Sequence, residues 1–175
     1  MITGLPSRSA YGNPDMVKEF EIITSSEEET ISLGATMGAM LRPGDLILLI
    51  GELGAGKTRL AKGIVSSATG IDPEEVVSPT FTLINCFEGP FQVCHADLYR
   101  IDSQQIEGIG LEDALDDGAA LIVEWAEKIL DLDEDPLRIY IRYHEEENLR
   151  QFRLEWSEGG PWHDRMEKLF TDGVK

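Results

Sequence analysis

The segment Gly51-Glu52-Leu53-Gly54-Ala55-Gly56-Lys57-Thr58 satisfies the pattern G-x-x-x-x-G-K-[ST], in which each residue type has a physical task. Glycines permit dihedrals closed to other residues, so consecutive backbone N–H groups curl round an anion at the N-terminus of the helix that follows. Those of Leu53, Gly54, Ala55 and Gly56 would form the inside of the curl, and a phosphate chain is its natural guest. The Lys57 ammonium then stands near the β- and γ-phosphates, and the Thr58 hydroxyl completes one vertex of a magnesium shell. The expected ligands are ATP and Mg2+. A guanine nucleotide fits less well, because none of Asn13, Asn85 and Asn148 begins an Asn-Lys-x-Asp base-reading motif.

Such a cradle usually works with an acidic residue at the end of a neighbouring strand, which orients the metal or its water. Asp97 and Glu124 both stand at such ends, and either can face the cradle. Ser78-Pro79-Thr80-Phe81-Thr82 offers three hydroxyls beside a proline-fixed turn; the plain alternative is the start of a strand. His95 is a general base or, as is more common for a lone histidine at a strand end, a structural hydrogen-bonding group. Trp125 lines a pocket or an interface, or sits in the core, where tryptophan is found more often.

The elements that must hold these groups follow from pattern. Leu46–Ile50 is aliphatic at every position, as expected of a central strand covered on both faces, and it runs straight into the glycine-rich loop. Lys57–Ala68 has the spaced apolar residues of a helix that stops at Gly70. Upstream, Thr24-Ser25-Ser26 followed by Glu27-Glu28-Glu29 reads as a capping box opening a helix whose apolar side is Ile31, Leu33, Met37 and Leu41. Thr80–Cys86 and Phe91–His95 read as two strands of a hairpin turning at Phe87–Pro90. A short helix is expected over Ile106–Leu115, a buried strand over Leu121–Val123, and further strands over Leu137–Tyr143 and Gln151–Trp156, flanking an acidic turn at 145–148. Trp162, Met166, Leu169 and Phe170 share one face of a terminal helix. Residues 1–15 mix Gly, Pro and Ser without periodicity and read as a flexible extension before a domain over 16–175.

Composition narrows the function classes. The chain has 175 residues, enough for one domain with a real core. Its 33 acidic against 15 basic side chains give a formal net charge of -18, which repels phosphate backbones, so RNA or DNA is expected to meet this chain only through a partner. Cys86 and Cys94 form no metal-binding spacing, and a reduced compartment is the simpler inference from them. With no secretory leader and no apolar run of membrane-spanning length, the expectation is a cytoplasmic protein with no membrane partner.

Taken in order, GELGAGKT at Gly51–Thr58, SPTFTL at Ser78–Leu83, HADLYR at His95–Arg100, GLED at Gly110–Asp113 and VEW at Val123–Trp125 resemble the TsaE (YjeE) family over about Glu21–Trp156. That resemblance implies an ATPase needed for threonylcarbamoyladenosine modification of tRNA at position 37, the adenosine next to the anticodon. It implies association with TsaB and TsaD, which comprise a threonylcarbamoyl-transferase subunit and its inactive paralogue, and slow hydrolysis by the chain alone. By similarity Lys57 and the Gly54–Gly56 backbone hold phosphates, Thr58 and Glu124 serve magnesium, and Asp97 organises metal or activates water. Thr80 and Thr82 belong to a switch-like segment, and Arg150 and the neighbourhood of Glu27 lie near the base. Where an aromatic pair often follows the GLED-like segment, this chain has Ala114-Leu115.

The fold expected is α/β: a single P-loop NTPase-like domain with a mixed, mainly parallel central sheet flanked by helices, plus a β-hairpin. Two other functions remain. A small-molecule kinase needs an acceptor pocket and an arginine-bearing lid, for which Arg138, Arg142, Arg150 and Arg153 are few and late in the chain. A nucleotide-sensing adaptor uses ATP binding to remodel a surface and treats hydrolysis as incidental.

Overall fold

Leu46–Gly51 forms β2, and its alternate residues enter two different cores. Ile47 and Leu49 belong to one buried cluster, Leu46 and Leu48 to the other, which is why the run is apolar at every position. The computed structural model describes residues 16–129, 135–144 and 148–171. The expected extension over 1–15 and most of the acidic turn at 145–148 therefore lie outside the described residues.

Seven strands make one mixed sheet in the order β1-β7-β6-β2-β5-β4-β3. The strands are β1 Val17–Thr24, β2, β3 Ile84–Phe87, β4 Val93–Asp97, β5 Ala120–Glu124, β6 Leu137–Tyr143 and β7 Arg150–Ser157. The core is parallel, β6-β2-β5-β4, and each edge is finished by antiparallel pairing. Helices α1 (Glu27–Gly38), α2 (Lys57–Thr69) and α4 (His163–Thr171) cover one face, where Leu33, Met37, Leu60, Ile64 and Met166 meet Ile122, Ile139 and Leu154. The other face is closed by α3 (Leu111–Asp116) and the segment after β4, through Leu98, Ile101, Leu111 and Leu115. The expected α/β architecture is the observed one, with its parallel strands at the centre.

The capping box forms as the sequence predicts. Ser26 caps α1 by accepting from the Glu29 amide, and the Glu29 carboxylate accepts from the Ser25 amide at 2.6 Å. Helix α1 lies unusually close to α2: a Cβ placed on Gly34 would run into the Leu60 carbonyl oxygen, and one on Gly63 into that of Ile31. At the far end, α4 is fixed by Arg165, whose guanidinium holds the buried Asp45 carboxylate, with Nη2 to Oδ1 at 2.9 Å, and stacks 4.0 Å from the Trp162 ring.

Four features differ from expectation. Strand β1 was not foreseen; its Val17–Thr24 register against β7 makes it an edge strand with little apolar signal. The first hairpin strand begins only at Ile84, because Thr80–Leu83 turns and Leu83 takes a left-handed φ of 68°. The helix expected over 106–115 is two pieces, a 3-10 helix at Ser103–Ile109 and α3, broken where Gly110 adopts φ 81°. Finally, Cys86 and Cys94 are direct antiparallel partners on β3 and β4 and are joined by a disulfide. The sequence alone favoured free thiols, because a hairpin register that sets two cysteines opposite each other is not visible in their spacing.

Candidate functional site

Strand β2 delivers the glycine-rich loop to the C-terminal edge of the parallel strands, and α2 starts directly beyond it. Gly54 and Gly56 adopt φ of 77° and 113°, conformations that a side chain would strain, and Gly56 is itself the N-terminal cap of α2. No side chain caps that helix end, so its amides and partial positive charge are directed at whatever the loop encloses. The loop borders a cleft of about 680 Å³, a volume in the range of small-molecule and cofactor sites.

Lys57 is buried and is held from three sides. Its ammonium donates to the carbonyls of Gly51 at 2.6 Å and Glu52 at 2.8 Å, and lies 3.9 Å from the centre of the Trp125 ring. Burial pushes the lysine below its ordinary range, and the nearby carboxylates of Glu124, Glu127 and Asp97 oppose that shift.

The two strand-end carboxylates sit side by side because β4 and β5 are parallel and in register, Asp97 opposite Glu124. Both are buried. The Thr58 hydroxyl donates to Glu124 Oε2 at 2.9 Å, and His95 Nε2 lies 2.8 Å from Glu124 Oε1. Asp97 accepts from the Thr80 hydroxyl at 3.2 Å and from the Tyr99 amide at 2.9 Å, while Ser78 lies 2.8 Å from Thr80. His95 is fully buried behind Glu124, which favours its hydrogen-bonding role over that of a general base. Thr58, Glu124 and Asp97 make an all-oxygen set, the hard donors that magnesium prefers. No group of three or more His, Cys, Asp or Glu suited to a metal occurs among the described residues; a magnesium bound mainly by phosphates and water needs none.

A further part of the cleft wall is built by α1, β7 and the loop before it. Ser25, Ser26, Glu27 and Thr30 line it from α1 and its cap, and Asn148 and Arg150 from the other side. The Arg150 guanidinium stacks 4.4 Å from the Tyr143 ring, and the Tyr143 hydroxyl donates to the Leu53 carbonyl at 2.9 Å, tying β6 to the loop. Arg59 reaches from α2 to Glu27 at 3.0 Å.

The structure thus brings Glu27, Leu53, Gly54, Gly56, Lys57, Thr58, Thr80, Asp97, Glu124 and Arg150 onto one cleft. It does not bring three other candidates to its lining. Ala55 is buried in the core, Gly51 offers its carbonyl to Lys57, and Thr82 turns outward to bond Asn85 at 2.7 Å. Residues not singled out beforehand also line the cleft, namely Ser25, Ser26, Thr30, Arg59, Tyr99 and Asn148. Of these, Ser25 and Ser26 carried a capping-box signal in sequence, which pointed to a helix start, and Tyr99 stood within the HADLYR segment. Trp125, for which a core position was the more frequent case, stands half-buried in the cleft wall with a left-handed φ of 58° and packs 4.9 Å from the Tyr99 ring.

Comparison with known proteins bears on the same segments. A family model described as threonylcarbamoyl adenosine biosynthesis protein TsaE matches residues 24–152. The Rickettsia bellii tRNA threonylcarbamoyladenosine biosynthesis protein TsaE is 39% identical over 119 residues, 67% of this chain and 81% of its own. The Bacillus subtilis protein of the same name is 35% identical over 129 residues, 72% of this chain and 79% of its own. The crystal structure of Bacillus subtilis YdiB superposes with a TM-score of 0.69 at 30% identity, over 90% of this chain and 95% of that one.

Proposed function

The chain belongs to the TsaE family of tRNA threonylcarbamoyladenosine biosynthesis proteins, and from that premise we propose that it is the Mg2+-dependent ATP-binding and ATP-hydrolysing subunit of the pathway. It acts in the cytoplasm beside TsaB and TsaD and meets tRNA through them. The observation that carries the reading is Thr58 hydrogen-bonded to Glu124 at the mouth of a loop whose lysine and helix N-terminus face the same cleft.

The residues divide the work. Backbone amides from Leu53 to Gly56 and the start of α2 bind the phosphates, and Lys57 leaves its own carbonyls to pair with the terminal ones. Thr58 and Glu124 hold the magnesium side, with Asp97 as the second carboxylate next to them. Bound magnesium supplies charge neutralisation of the β- and γ-phosphate oxygens. Asp97, fixed by Thr80 and the Tyr99 amide, would organise the metal or orient the attacking water. Glu27, Asn148 and Arg150, which line the same cleft, would meet the base. The net charge of -18 suits docking to proteins that supply the basic contacts to RNA.

Purified chain should bind ATP in calorimetry and hydrolyse it slowly, faster with TsaB and TsaD present. Lys57→Ala should remove hydrolysis; full turnover by that variant would show the assignment of the cradle to be wrong. An acceptor-dependent rate with a small metabolite would instead favour a kinase. Normal tRNA modification over many turnovers by a variant that binds but does not hydrolyse ATP would favour a sensing adaptor.

A further inference from the structure

Glu124 is a buried carboxylate with a different partner on each oxygen. Oε2 accepts from Thr58 at 2.9 Å, and Oε1 faces His95 Nε2 at 2.8 Å. His95 has no exposure, and its other ring nitrogen, Nδ1, is buried without a hydrogen-bond partner. The histidine stands two residues before Asp97 on β4 and so shares its face of the strand, one step further from the cleft. It has no access to a ligand and touches the cleft only through Glu124.

The unpartnered Nδ1 fixes the direction of the hydrogen bond. A proton on Nδ1 would leave a buried N–H without an acceptor, and the bare Nε2 would face a carboxylate oxygen, lone pair against lone pair. The tautomer with its proton on Nε2 avoids both penalties: it donates to Glu124 Oε1 and leaves only an unused lone pair on Nδ1. Glu124 is then held in one rotamer, and its remaining oxygen takes the Thr58 proton. That direction matters, because a Thr58 hydroxyl that donates to Glu124 turns its lone pairs away from the carboxylate and towards the cleft.

We propose that His95 is a positioning residue for the magnesium site: by donating from Nε2 to Glu124 Oε1 it fixes the carboxylate that in turn orients Thr58 towards the cation. The inference rests on the site being a Mg2+–nucleotide site and goes beyond that reading by naming a residue with no ligand contact. It separates two affinities, since His95 is not in the cleft lining and its hydrogen bond goes to Glu124 rather than to the phosphate loop. Loss of the donor weakens cation binding while nucleotide binding without metal stays as it was. Partners of this kind are typically worth about 10–100-fold in metal affinity.

The test uses the full chain with ADP and Mn2+, reading bound Mn2+ by electron paramagnetic resonance and metal-free ADP affinity by calorimetry. His95→Phe keeps an aromatic ring without the donor, His95→Gln places an amide N–H close to the position of Nε2, and His95→Asn places one nearer that of Nδ1. The expected result is a loss of Mn2+ affinity of about 10-fold or more in His95→Phe and His95→Asn, recovery in His95→Gln, and metal-free ADP affinity unchanged in all three. Nitrogen-15 NMR of the wild-type histidine rings reports independently and needs no folded variant; it should show the His95 proton on Nε2. The proposal is overturned by wild-type Mn2+ affinity in His95→Phe, by equal losses in all three variants, or by a proton on Nδ1. If the wild-type chain itself bound no nucleotide, the functional reading would fail, a result distinct from any of these.

Discussion

The Lys57 ammonium lies 3.9 Å from the centre of the Trp125 ring while donating to two carbonyls of its own loop. The lysine proposed to bind phosphate is thus already engaged, with its charge shared between an aromatic face and the peptide groups of Gly51 and Glu52. A triphosphate has to compete with those contacts, and Trp125 stands where it feels the outcome.

Burial holds Lys57 below the ordinary lysine value of 10.5, against the opposing pull of Glu124, Glu127 and Asp97. Below its folded pKa the lysine is charged in both the folded and the unfolded chain, so folding there bears the desolvation cost in full. That cost is relieved as pH rises through the folded pKa towards 10.5, because the unfolded chain then binds more protons than the folded one. Phosphate binding works in the opposite direction and favours the ammonium. ATP affinity should therefore fall with rising pH in the alkaline range below 10.5, with proton uptake on binding. Calorimetry in buffers of different ionisation heat measures it, and binding without proton uptake across that range would contradict the assignment.

Arg165 and Asp45 form a buried, bidentate pair that also receives the Arg42 amide at 2.7 Å. Removing the guanidinium strands the carboxylate. Arg165→Met should cost about 3–5 kcal/mol, the usual penalty for leaving one partner of a buried pair, read as a shift in the urea midpoint. The double variant Arg165→Met with Asp45→Asn should recover part of the loss; equal instability of the single and double variants would show that packing rather than charge dominates.

Gly63→Ala places a methyl against the Ile31 carbonyl and the backbone of Gly34 and Ala35. Alanine is the better helix former by about 1 kcal/mol, yet the collision should dominate and destabilise the chain by about 1–3 kcal/mol. Gly108→Ala, where a Cβ meets nothing within 4 Å, is the control and should change stability by no more than about 0.5 kcal/mol. Thermal melting of the two variants side by side decides the point.

The Cys86–Cys94 bridge closes a short hairpin, eight residues apart in sequence. Loop-entropy arguments give such a bridge somewhat under about 3 kcal/mol. Cys86→Ser should therefore lower the unfolding free energy of oxidised protein by up to about that amount and leave dithiothreitol-treated protein unchanged. Equal effects in both conditions would mean that packing, not the bond, is responsible.

What could be read from sequence was what contiguous residues encode. Gly51–Thr58 carries its own loop geometry, so the cradle and the strand and helix around it were legible without a partner segment. Asp97 and Glu124 were recognisable as strand ends, but their pairing depends on the β4–β5 register, which no local pattern states. Asn148 and Ser25 reach the same cleft because β1 pairs antiparallel with β7, and β1 itself was missed as a half-exposed edge strand. Thr82 shows the converse: two positions from Thr80 in sequence, it lies in a turn rather than a strand and bonds Asn85 instead of lining the cleft. Trp125 left two readings open, pocket or core, and the half-buried ring does both, lining the cleft from a left-handed backbone while packing on the core behind it.

The tight seating of α1 on α2 has a further consequence. Ser26 and Glu27 stand at the start of one helix, Lys57 and Thr58 at the start of the other, and helices whose backbones touch cannot slide or spread independently. Together they act as the fixed jaw of a gauge, its span set by glycine contacts that begin about one helical turn from the cleft. Adjustment to what enters is left to the segments carrying Thr80 and Tyr99, which the side chain of Asp97 ties to the sheet.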